Sequence, residues 1–137
     1  MGSLILLSCT VFSCSPTAKS EAAALLAAVD RYRDASDSAK VDRAHAVAGT
    51  RCSDVTVCNA KRACEEAILP SARALAIKDR VSERVRDLRE GRLAPDSPEA
   101  SALPTALEDA ERLLNEGRAK MPECERLLVE LRVALGV

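Results

Sequence analysis

The chain has 137 residues, enough for one modest domain, and its 20 basic and 21 acidic side chains leave a net charge of −1. This balance argues against nucleic acid as a partner, because such binding depends on clustered lysine and arginine. Alanine supplies 24 residues and the aromatic side chains are limited to Phe12 and Tyr32, so the composition favours helices and disfavours a stacking platform for sugars or bases.

The first 18 residues carry no charged side chain and include an apolar stretch from Leu4 to Phe12. That stretch has the length of a signal-peptide core and is too short to cross a bilayer as a helix. The tetrapeptides LLSC, ending at Cys9, and VFSC, ending at Cys14, each place a cysteine after an apolar, a variable and a small residue. The segment therefore predicts an export signal, either of the lipoprotein type or of ordinary secretion. The alternative is a cytosolic tail or a short buried segment of the fold.

The VFSC motif resembles the lipobox of bacterial lipoprotein precursors. The resemblance implies cleavage before Cys14, a diacylglycerol lipid on that cysteine and, because Ser15 follows it, transport to the outer membrane. Cleavage at Cys9 would leave only a five-residue apolar core, so Cys14 is favoured. No lysine or arginine precedes the apolar stretch, which departs from the family's pattern. We expect a signal peptide over residues 1–13, a tether over 14–18 and a helical domain over 19–137, anchored on the periplasmic face of the outer membrane.

Apolar residues recur with helical spacing after residue 17, and no run of alternating β-branched residues indicates a strand. A first helix is predicted to start near Thr17 or Ser20 and to end at Gly49. Its apolar stripe weakens over residues 34–40, where a bend or a break is expected.

Two longer helices follow the first. One starts after a cap at Ser53 or Asp54 and runs to Glu90. After a connector at residues 91–98, the other runs from about Pro98 to Leu135. Three prolines predict kinks or a separate first turn: Pro70, Pro104 and Pro122. The predicted fold is an all-α antiparallel bundle of three long kinked helices, counted as four if the first one breaks.

Four further cysteines, Cys52, Cys58, Cys64 and Cys124, predict two disulfides, because an even number is typical of small exported chains. In a hairpin folded at Pro95, Cys64 lies 31 residues before the turn and Cys124 lies 29 after it, so the two are nearly level. This favours Cys64–Cys124 together with Cys52–Cys58. Cys52–Cys64 with Cys58–Cys124 stays open as the alternative. A Cys58–Cys64 bond is disfavoured, since six residues along a helix span about 9 Å.

The remaining polar residues match no catalytic pattern, and we expect no enzyme activity, metal or other cofactor. The spacing C-x5-C-x5-C, with His45 as the one histidine, differs from zinc sites, whose ligands come in pairs two to four residues apart. The paired acids of CEEA (64–67) and EDAER (108–112) are typical of charge pairs on exposed helix faces. The chain has neither a Gly-rich phosphate loop nor a nucleophile elbow.

The expected function is a non-enzymatic helical module of the bacterial envelope. It would be held in the membrane by its lipid, and it would bind another envelope protein or space a complex from the membrane. The rival hypothesis is a small-ligand carrier or an enzyme with a pocket between the helices, because a core of small side chains can leave a cavity. A filled core with exposed apolar side chains would favour the interaction module. A pocket lined by polar groups with shifted pKa values would favour the carrier or enzyme.

Overall fold

The computed structural model describes residues 16–137, and every regular element in that range is a helix. This confirms the predicted all-α fold, with the first helical stretch broken within residues 34–40 as expected. A single 3₁₀ turn, Asp37–Ala39, separates the first two helices. The α-helices are α1 (Pro16–Asp34), α2 (Lys40–Ala48), α3 (Val55–Arg89), α4 (Pro98–Ser101) and α5 (Leu103–Leu135).

Helix α1 begins at Pro16, earlier than the sequence predicts. Proline is well placed as a first helical residue, because its missing N–H would have no partner there and its φ angle already suits the helix. Ala18 is buried, so residues 16–18, the part of the predicted tether that the structure describes, form the first turn of α1. The predicted signal peptide (1–13) and lipidation site (Cys14) lie outside the described residues.

Lys40 stabilises the break between α1 and α2. Its ammonium group donates hydrogen bonds to the carbonyl oxygens of Tyr32, at 2.7 Å, and Arg33, at 2.9 Å. These carbonyls lie in the last turn of α1, where the helix itself supplies no donors. The same ammonium lies 4.6 Å from the centroid of the buried Tyr32 ring, a favourable cation–π distance. Lys40, the first residue of α2, therefore supplies donors for two carbonyl groups at the end of α1.

The two longest helices, α3 and α5, pack against each other as an antiparallel pair and provide most of the helix–helix interface. Helix α3 has 35 residues and is about 52 Å long at 1.5 Å per residue. Pro70 lies inside α3 and Pro122 inside α5, and both helices continue through them. The short α4 is separate from α5, which agrees with the prediction from Pro104.

Small side chains allow α3 and α5 to approach closely. The Cα atoms of Cys64 and Cys124 are 4.5 Å apart. Seven residues further along α3 is Ser71, and seven residues back along α5 is Gly117. A Cβ atom on Gly117 would lie 2.5 Å from the carbonyl oxygen of Ala67 and even closer to Oγ of Ser71. Only glycine therefore fits at position 117 without a shift of α3 or α5.

The apolar core divides the molecule into two parts. A large cluster joins α1, α2, the first half of α3 and the second half of α5, and contains residues such as Leu25, Val47, Ile68 and Leu131. We call this part the base. A small cluster of Ala74, Ala110 and Leu113 continues along α3 and α5 alone. Residues 77–111, which we call the arm, extend beyond the base as two helices and their connection.

Candidate functional site

Both disulfides lie in or beside the base and have the pairing that the hairpin geometry favoured. Cys64–Cys124 crosses from α3 to α5 and is fully buried. Cys52–Cys58 joins the α2–α3 connection to the first turns of α3, with a Cα–Cα distance of 5.2 Å and partial exposure. The alternative pairing of Cys52 with Cys64 and Cys58 with Cys124 is therefore wrong. Because all four sulfurs are oxidised, none of them is a thiolate nucleophile or metal ligand in this state.

Two carboxylates cap the start of α3. The side chain of Asp54 accepts hydrogen bonds from the backbone N–H groups of Thr56, at 2.8 Å, and Val57, at 3.3 Å. Glu21, from α1, accepts one from the N–H of Ser53 at 2.8 Å and one from its hydroxyl at 2.9 Å. The backbone hydrogen bond from Ser53 is the main reason that the pKa of Glu21 is lowered. Asp54 confirms one of the two predicted caps, whereas the contribution of Glu21, 32 residues away, had no sequence signal.

Replacement of Glu21 by glutamine is expected to reduce stability at neutral pH more than at acidic pH. Because the folded-state pKa of Glu21 is lowered, its contribution is present above the unfolded value of about 4.3 and is lost as pH falls through the folded value. The difference in melting temperature between the wild type and Glu21→Gln, measured from pH 7 down to pH 3, should therefore shrink. The exposed Glu83, changed to glutamine, is the control. A difference that stays constant with pH would contradict the role given to the Glu21 carboxylate.

The start of α1, the α2–α3 connection and the end of α5 lie together at one end of the base. Nζ of Lys19 is 4.0 Å from the position of a Cβ on Gly136. Pro16 and Ser20 border a groove of about 660 Å³ together with Gly49 and Thr50. We call this the entry end, because the chain reaches it from Cys14, two residues before Pro16.

The candidate chemical residues of the sequence are dispersed. His45 is exposed on α2 and borders a groove of about 280 Å³ next to Arg73. Of the CEEA acids, Glu65 forms an ion pair with Lys61 at 3.4 Å and Glu66 pairs with Lys120 of α5, also at 3.4 Å. Within residues 16–137, no three metal-ligating side chains are arranged around a common point. The predicted role of these acids as charge pairs is confirmed.

The arm carries a groove that sequence reasoning missed. Its apolar lining comes from α3 and α5 and its rim is charged, with a volume of about 330 Å³. Arg80 and Arg84 border it on α3, and Asp109 borders it on α5. Leu107, also on the arm, keeps 42% of its surface exposed. The apolar residues of the groove are Ile77, Val81, Leu103 and Ala106. Recognising it requires the register between two helices, which the sequence pattern of either helix alone does not contain.

Comparison of the chain with protein-family models, with curated proteins and with solved structures gives no significant match. None of the helices described between residues 16 and 137 has the length and apolar character needed to cross a membrane.

Proposed function

We propose that this protein is a lipid-anchored module of the bacterial envelope, without enzymatic activity, whose arm binds another envelope protein at a distance from the membrane. The observation that carries the proposal is that the entry end and the arm are at opposite ends of α3. Helix α3 begins beside the entry end, where Ser53 contacts Glu21, and its 35 residues extend about 52 Å. An anchor at one end would hold the other end well above the lipid surface.

The anchor is supported by the lipobox-like VFSC and by the disulfides. Cys14 precedes Pro16 by two residues, which span at most about 7 Å of extended chain. A lipid on Cys14 would therefore keep the base next to the bilayer. Two disulfides suit an oxidising compartment such as the periplasm, because cytosolic thiols are kept reduced.

The binding role of the arm is supported by its incomplete packing. Val81 is buried between α3 and α5, but Ile77 and Leu103 stay partly exposed along the groove. An amphipathic helix is a partner that fits such a groove, because its apolar face can cover this strip. The arginines at the α3 rim favour a partner helix with acidic residues beside its apolar face.

A small-ligand carrier remains the second candidate, because the groove at the entry end has about 660 Å³, within the range of ligand sites. Its polar lining includes Ser20, Glu21 and Arg31. Glu21 already accepts three hydrogen bonds from the start of α3. Because its carboxylate is already used in this way, Glu21 has a structural role at the groove. The small-ligand carrier is therefore the less favoured of the two functions.

Photo-crosslinking in the producing cell tests the proposed function. A photoreactive residue at Leu107 should join the arm to one envelope protein, and the same residue at the exposed Arg43 of the base should not. The crosslink should be lost when Arg80 and Arg84 are changed to glutamate, and weakened in Cys14→Ala, which lacks the anchor's high local concentration. Equal crosslinking from both positions would contradict an interaction through the arm.

The intact mass of the membrane-extracted protein is the control for the anchor. Under non-reducing conditions it should correspond to a chain that begins at Cys14, carries acyl chains and lacks four thiol hydrogens. A mass for the unprocessed chain without lipid would contradict the anchor at Cys14.

A further inference from the structure

The entry end exposes large apolar side chains. Val133 of α5 keeps 81% of its surface exposed, and Val55, the first residue of α3, keeps 71%. Each lies nine residues from the cysteine of its own helix in the Cys64–Cys124 pair. Because α3 and α5 are antiparallel, the two valines are at a similar height, and because nine residues make about two and a half turns, each lies on the outer side of its own helix. Val129, one turn before Val133 in α5, is 55% exposed.

The exposed charges at the entry end are mainly basic, and the exposed Glu130, close to Val133 on α5, is paired with Arg126. Lys19 and Arg51 are exposed there. The neighbouring acids Glu21 and Asp54 are directed at the N–H groups that begin α3. This arrangement suits an anionic surface, because lysine and arginine close to a membrane are attracted to acidic lipid headgroups.

We propose that the entry end rests on the bilayer, with Val133 and Val55 in contact with lipid acyl chains. This inference rests on the proposed anchor at Cys14, which is at most about 7 Å of chain from Pro16. A diacylglycerol anchor carries two acyl chains and holds the protein on the membrane by itself, but it leaves the orientation of the domain free. The exposed valines and basic side chains fix that orientation, and they set the arm pointing away from the membrane.

Tryptophan fluorescence tests this contact, since the chain contains no tryptophan. The full chain with Cys9→Ser, in which Cys14 is the one thiol outside the disulfides, is coupled through Cys14 to a maleimide-headgroup lipid. The vesicles contain phosphatidylcholine and phosphatidylglycerol, with or without brominated acyl chains. Val133→Trp should emit at shorter wavelength on vesicles and lose intensity with the brominated lipids.

Leu107→Trp is the matched control, because it places the same residue at an exposed apolar position on the arm. Leu107→Trp should show neither the shift in wavelength nor the quenching. Because residues 1–13 are present in both variants, any effect of this segment on the vesicles is the same in both. Val55→Trp replaces Val133→Trp if the latter fails to fold. Quenching that is absent at the entry end, or equal at Leu107, would overturn the proposal. A short-wavelength emission without quenching would also overturn it and would indicate that a second protein copy covers the valines.

Chemical coupling imposes the anchor, so this result does not depend on whether the cell lipidates Cys14. Failure of the proposed function would appear in the intact mass and in the crosslinks, and failure of the membrane contact would appear only in the fluorescence.

Discussion

Replacing both Cys64 and Cys124 with alanine should lower the free energy of unfolding by about 4 kcal/mol. The bond closes a loop with a sequence separation of 60, and loop-closure entropy predicts about this amount for a loop of that size. Small domains have about 5–15 kcal/mol in total, so the variant should be close to unfolding at 37 °C. Urea denaturation followed by circular dichroism measures the change.

Cys52→Ala with Cys58→Ala is the matched control for that experiment. Its loop has a separation of only 6, for which the same estimate gives about 2 kcal/mol. It also leaves the contact between α3 and α5 unchanged. If removal of Cys52–Cys58 lowers the free energy of unfolding as much as removal of Cys64–Cys124, the bond between the long helices is not the main covalent support of the fold.

Gly117→Ala should lower the free energy of unfolding by up to about 2 kcal/mol, although alanine is the better helix former. The added Cβ would lie 2.5 Å from the carbonyl oxygen of Ala67, a backbone atom that cannot rotate away. Overpacking of this kind costs about 1–3 kcal/mol, and the higher helix propensity of alanine offsets about 1 kcal/mol of it. Thermal and urea unfolding of the purified protein give the net value.

Asn115→Ala provides the comparison for Gly117→Ala. Asn115 lies on the same helix, two residues away, and is exposed. Its change to alanine raises helix propensity without adding an atom to the helix contact, so its stability should stay the same or rise slightly. A rise of equal size for Gly117→Ala would show that α3 and α5 are further apart at this point.

The fold was largely predictable because its signals are local or follow from helix geometry. The cap at Asp54 and the weak stripe over residues 34–40 each marked a real helix boundary. The pairing of Cys64 with Cys124 followed from the rise per residue and the place of one turn. The start at Pro16 was missed, because residues 16–18 look like a linker unless the burial of Ala18 is known.

The candidate sites were less predictable because they depend on contacts between distant segments. Glu21 is an ordinary helical glutamate in the sequence, and only the packing of α1 brings it to Ser53. The arm groove arises from α3 and α5 together, with Val81 and Leu103 22 residues apart. The exposure of Val133 likewise depends on which face of α5 the base covers. Apolar spacing along one helix does not separate such positions from core positions.

The seven-residue spacing between Cys64 and Ser71 on α3, and between Gly117 and Cys124 on α5, has a consequence for how such a protein changes in length. Seven residues make close to two helical turns, so a heptad inserted into both helices of the arm restores the same facing residues and adds about 10 Å. The base and its sulfur bridges are unaffected by such an insertion. The length of the arm can therefore change in steps of about 10 Å while the base and its disulfides keep their sequence and structure.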